Sequence, residues 1–180
     1  AVMGIHLTML PLRPHLKHES QPPVTEEEGH WIAKMQKWWR QEEGYRSIQS
    51  TKPMALAFAV MDSPAGLAGW LADKYYRLGD TDKTETMEGM IARFPFDHIL
   101  TQFSIYWFTG TINSANTLYK AGPAEGTGLL KPGEKVTVPT AYSEYPIDVL
   151  PDTPRSWAER GYNIVRWRMM DRGGHFAAME

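Results

Sequence analysis

Apolar residues follow three different rhythms along the chain. Val2-Met3-Gly4-Ile5-His6-Leu7-Thr8-Met9-Leu10 is a short apolar run bounded by Pro11 and Pro14, which predicts a buried strand. A polar loop rich in Pro and His spans Arg13 to Pro23. Thr25 and Glu28 then form a capping box, and the acids Glu26 to Glu28 favour a helix N-terminus. Trp31, Met35, Trp38 and Trp39 recur at helical spacing until Gly44 ends the run. Ser63 as N-cap and Pro64 in the first turn start a second helix, with Leu67, Leu71, Tyr75 and Leu78 as its apolar stripe and Gly79 as its stop. Gly79 to Met90 reads as a charged loop. Ile99, Leu100, Phe103, Tyr106 and Trp107 predict a third helix after Asp97, and Ser114 to Lys120 a short fourth.

Beyond Ala121–Gly133 the rhythm changes again. Lys135–Thr140 is a strand, Thr153-Pro154 starts a helix that runs to Arg160, and Asn163–Met169 is another strand. Strand, helix and strand at this spacing predict a parallel pair in an α/β sheet. The expected organisation is a core strand in 1–14, a helical lid over 15–122 and a second α/β portion over 123–180. That is a sheet interrupted by a helical insertion, with no internal repeat.

The composition of the 180 residues narrows the function classes. A hydrophobic fraction of 42% and a charged fraction of 22% belong to a folded chain. With 19 basic against 21 acidic residues and no basic block, phosphate-driven binding of nucleic acid is not expected. The absence of cysteine excludes disulfides, a thiolate nucleophile and a Cys-type zinc site. The 7 Trp, 8 Tyr and 6 Phe suit an apolar pocket or a large core. The apolar opening at Ala1 and the abrupt stop at Glu180 suggest a piece of a longer protein.

Parallel sheets carry their working residues on loops beyond the carboxyl ends of strands. Two such loops are Ala141-Tyr142-Ser143-Glu144-Tyr145-Pro146-Ile147-Asp148 and Asp171-Arg172-Gly173-Gly174-His175. A carboxylate after one strand and a histidine after the next are the acid and base of a nucleophile–His–acid triad, in the chain order of α/β-hydrolases. Such a carboxylate fixes the imidazole tautomer and stabilises the imidazolium when the ring takes a proton from water. Asp148, Glu144 and Asp152 are the candidate carboxylates, and the residues alone leave the choice among them open.

Several ordered motifs resemble the microsomal-type epoxide hydrolases. Gly44-Tyr45-Arg46-Ser47-Ile48-Gln49-Ser50-Thr51-Lys52-Pro53 and Asp62-Ser63-Pro64-Ala65-Gly66-Leu67-Ala68 are similar to that family's lid. Tyr106-Trp107-Phe108-Thr109-Gly110-Thr111-Ile112-Asn113-Ser114, with Tyr119 following, is similar to its second lid signature. Tyr145-Pro146-Ile147-Asp148 resembles the acid loop, and Arg172-Gly173-Gly174-His175-Phe176-Ala177-Ala178 the histidine loop, with 27 positions from Asp148 to His175. The resemblance implies an α/β-hydrolase fold, with Tyr45 and Tyr119 as donors to the epoxide oxygen. It also implies His175 as the base that activates water, Asp148 as the acid that orients it, and a vicinal diol formed through an aspartyl ester. No Gly-x-Asp-x-Gly elbow occurs in the chain, so the resemblance places the aspartate nucleophile upstream of Ala1 and leaves the chain inactive by itself.

The same resemblance implies a small apolar epoxide and water as partners, neither cofactor nor metal, and a role in detoxification or aromatic hydrocarbon catabolism. Trp107 is the candidate for a pocket wall, whereas Trp31, Trp38 and Trp39 read as helix packing. His15, His18, Glu19 and His30 carry donors a metal accepts but match no ligand spacing, and His6 reads as a buried, hydrogen-bonded histidine. Two alternatives stand beside the hydrolase: a dehalogenase of the same fold, and an inactive half-domain that binds an apolar ligand or a partner protein. Membrane association, homo-oligomerisation and compartment stay open.

Overall fold

A computed structural model of the chain describes residues 2–10, 16, 19, 21–81, 86–126, 130–131, 133–149 and 152–180. In chain order the elements are β1 (Ile5–Leu7), α1 (Glu26–Glu42), α2 (Gly44–Thr51), α3 (Pro53–Met61), α4 (Pro64–Leu78), α5 (Met87–Arg93), α6 (Phe96–Thr109), α7 (Ile112–Glu125), β2 (Val136–Glu144), α8 (Arg155–Glu159) and β3 (Tyr162–Met169). They form two compact units. One comprises Ala1–Gln41 and Gly128–Ala177, the other Glu42–Thr127 and Ala178–Glu180.

In the first unit three parallel strands lie in the order β1-β2-β3, as the strand–helix–strand grammar predicts for the last two. β2 is central, yet it carries Pro139, which has no N–H to give to a ladder. The register with β3 accordingly shifts between Val136 and Pro139 and again between Thr140 and Ala141. Beyond the irregularity the pairing runs on from Tyr142↔Trp167 to Glu144↔Met169. Leu10, Tyr142, Ala158 and Ile164 form the buried core here, with Leu7, Tyr162 and Trp167 packed against it.

The first strand departs from expectation. Only Ile5–Leu7 pair, and Val2 and Met3 are 68% and 91% exposed. Among the described residues β1 has a neighbouring strand on one side, β2. His6 is exposed rather than buried, and its Nε2 lies 2.9 Å from the Ser143 hydroxyl. α1 belongs to this unit, where it packs against α8. Its capping box is reciprocal, Thr25 N–H donating to Glu28 and Glu28 N–H to the Thr25 hydroxyl. Glu28 also meets the Arg160 guanidinium in a fully buried ion pair, supported by the Ser156 hydroxyl and by the Pro22 and Pro23 carbonyls. The Trp31 and Trp157 rings meet at a 51° tilt with centroids 5.2 Å apart, so Trp31 is a packing residue.

The second unit is helical, with a core of Ala57, Val60, Leu67 and Ile112 lined by Leu56, Met61, Trp70, Leu71, Tyr106 and Trp107. The Ser63 hydroxyl accepts from Gly66 N–H at 3.1 Å, which confirms it as the N-cap of α4. Gly79 ends that helix where a Cβ would stand 2.5 Å from the Tyr75 carbonyl and 2.6 Å from the Phe94 ring. Three helices were not expected. α2 is rich in Ser, Thr and Gln, and α3 is apolar all round, so neither shows an amphipathic stripe. α5 lies at the end of the charged stretch read as loop, started by the Thr86 cap on Gly89. Among the described residues no helix is long and apolar enough to cross a membrane.

Candidate active site

In the sheet unit two loops leave the carboxyl ends of adjacent parallel strands. Glu144 closes β2 and Met169 closes β3, and the loops are zipped together by backbone. Met170 N–H donates to the Glu144 carbonyl at 2.9 Å, Ile147 N–H to the Gly173 carbonyl at 3.2 Å, and Ile147 bridges to Gly174. Gly173 turns the chain at φ 111°, a conformation that side chains with a Cβ rarely adopt.

This turn presents His175 to Asp148, Nδ1 to Oδ1, at 2.8 Å. Asp148 is 3% exposed and its Oδ1 also accepts from Val149 N–H, so the carboxylate is fixed before the imidazole meets it. An ionised carboxylate only accepts, so the Nδ1 proton belongs to the ring and Nε2 is left as a lone-pair base. At 32% exposure His175 remains reachable by water. The competing carboxylates have other partners. Glu144 accepts from Trp167 Nε1 at 3.1 Å, and burial pushes its carboxyl above the ordinary range. Asp152 pairs with Lys34.

In the helical unit Tyr45 opens α2 and Tyr119 lies on α7. Their rings meet edge to face, centroids 6.1 Å apart at 81°. Burial, and then the neighbouring Tyr119, push the Tyr45 phenol up to about 12. It is therefore a neutral O–H donor at physiological pH. Trp107, from α6, packs against the core of this unit. Lys74 escaped the sequence reading. Its Nζ lies 4.4 Å from the Tyr45 ring centroid and 5.0 Å from that of Trp70. The available signal was a cation on the apolar face of α4, four residues after Trp70 and four before Leu78.

His15 and His18 lie outside the described residues. Among the described ones, no group of three or more His, Asp or Glu side chains is placed to hold a metal.

No protein-family profile matches the chain. Over 142 residues, 77% of its length, it is 38% identical to epoxide hydrolase 1 of Sus scrofa, covering 31% of that protein. Over 138 residues, again 77% of its length, it is 34% identical to the juvenile hormone epoxide hydrolase of Manduca sexta, covering 30% of it. The structure of Aspergillus niger epoxide hydrolase matches 99% of this chain and 42% of its own, with a TM-score of 0.73 at 28% identity. The chain thus spans about a third of the length of the curated relatives it matches. Sequence and fold agree, and within that span the chain belongs to the epoxide hydrolase family of the α/β-hydrolase fold.

Proposed function

We propose that this chain supplies the proton donors and the water-activating pair of an enzyme that hydrolyses a small apolar epoxide to a vicinal diol. The observation that carries the reading is the 2.8 Å contact between buried Asp148 and His175 on two zipped loops. The helical unit is the lid, with Trp107 as pocket wall. The nucleophile, an aspartate on a strand-to-helix elbow, belongs to the portion of the relatives that this chain does not span. In the first step a carboxylate oxygen bonds to a ring carbon as the ring C–O bond breaks. The departing oxygen takes a phenol proton from the Tyr45–Tyr119 pair, giving a hydroxyalkyl ester. In the second, water gives a proton to His175 Nε2 and attacks the ester carbonyl carbon. The diol leaves, the carboxylate is regenerated, and solvent returns the proton from the imidazolium to the phenolate.

The test uses a protein in which this chain is joined to the elbow-bearing segment, assayed with an aryl epoxide and with a haloalkane. We expect epoxide turnover, loss of about 10²- to 10⁴-fold in His175→Gln, and accumulation of covalent ester in that variant. Halide release without epoxide turnover would assign the dehalogenase instead. Absence of both activities, with the fold intact, would leave a binding module.

A further inference from the structure

We propose that Lys74 activates Tyr45 as a proton donor, its ammonium lying on the face of the phenol ring. The inference rests on the proposed role of Tyr45 and adds the residue that tunes it.

The starting point is a conflict at Tyr45. Burial keeps the phenol protonated, which a donor needs, but the same burial penalises the phenolate left behind after the proton is given. A cation on the ring face addresses this. Phenolate carries much more electron density in its ring than phenol, so an ammonium above the face stabilises the ionised form more than the neutral one. The proton is then held less tightly, while the group stays neutral near pH 7.

The placement of Lys74 fits this role better than that of a solvated lysine. Its side chain is only 19% exposed, and its head lies 4.4 Å from the Tyr45 ring centroid and 5.0 Å from that of Trp70. A long flexible side chain on an exposed helix would carry its charge out to water. Asp73 pairs with Lys74 and damps its charge. Arg77 draws on the same carboxylate at 3.5 Å, from its other oxygen. Arg46 on its own helix favours the Tyr45 phenolate, and Tyr119 on α7 opposes it. α3, packed against α2, carries no charged side chain.

The experiment places a fluorinated tyrosine, which ionises in a more accessible range, at position 45 and follows its titration by fluorine NMR. Lys74→Met keeps the apolar stem and removes the charge. It should raise the Tyr45 midpoint by about half a unit to one unit, and Lys74→Arg should restore it. Asp73→Asn should lower the midpoint, an opposite shift that still reports if Lys74→Met does not fold. In the joined protein, Lys74→Met should slow ester formation roughly threefold to tenfold and leave ester hydrolysis unchanged. An unmoved midpoint in both variants, beside a damaging Tyr45→Phe, overturns the activation alone. A moved midpoint beside a harmless Tyr45→Phe overturns the donor role itself, and the activation with it.

Discussion

In the proposed reaction a phenol that must give away a proton and a carboxylate that must not move are opposite demands, and Tyr45 and Asp148 are both shielded from water. Tyr45 keeps its proton to about pH 12 in the fold, against an ordinary value of 10. The sign of the linkage follows: the folded state holds the proton more tightly than the unfolded one. Its stabilisation is complete below about pH 10 and is lost as pH rises towards about 12. Tyr45→Phe should therefore flatten the alkaline fall in melting temperature, which thermal scans across that window will read. Glu144 also has a raised folded value, from burial, so its contribution is present below its ordinary 4.5 and declines as pH rises through the raised value. Glu144→Gln keeps an acceptor for Trp167 and has no charge to bury. The variant should be at least as stable as the parent at neutral pH by urea denaturation. A marked loss there would show that the carboxylate itself is needed.

At the scale of elements, α1 is tied down by a buried ion pair. Glu28 and Arg160 are both buried, and Arg160 ties the segment before α1 to the turn after α8. Its guanidinium holds the Glu28 carboxyl below the ordinary range despite burial. Here the sign is reversed: the contribution is present above pH 4.5 and is lost as pH falls through the lowered value. Glu28→Gln leaves a buried guanidinium unpaired and should cost about 3–5 kcal/mol in urea denaturation at neutral pH. The Thr25–Glu28 capping box was legible in the sequence, since it uses a local spacing, whereas the partner at Arg160 was not. The same division runs through the rest of the fold. Caps at Ser63 and Thr25, the stop at Gly79 and the parallel pairing of β2 with β3 follow from neighbours in sequence. α3 did not, because Pro53–Met61 is apolar on every face and offers no period. The length of β1 is not legible either, because an apolar run does not say how many of its residues find a partner strand.

Across the whole molecule, the candidate chemistry divides along the boundary between the two units. Tyr45, Tyr119 and Lys74 belong to the helical unit, Asp148 and His175 to the sheet unit. The residues alone leave three carboxylates open and the resemblance points to Asp148; in three dimensions Asp148 is the one that meets His175, while Glu144 and Asp152, close to it in sequence, find other partners. Lys74 was invisible for a related reason: its aromatic partner Tyr45 comes from another helix. If the proposed two-step chemistry is correct, this division has a kinetic signature. Phenol donors act only while the ring C–O bond breaks, and the imidazole only while the ester is hydrolysed. In the joined protein, Tyr45→Phe should slow ester formation about 10²-fold while hydrolysis of preformed ester proceeds at the parent rate. His175→Gln should do the reverse, with a full burst of ester and a stalled second phase. Single-turnover tryptophan fluorescence, with the ester trapped and weighed by mass spectrometry, separates the two phases. Equal slowing of both phases in both variants would mean that the units do not divide the reaction, and that the substitutions act by disturbing the fold.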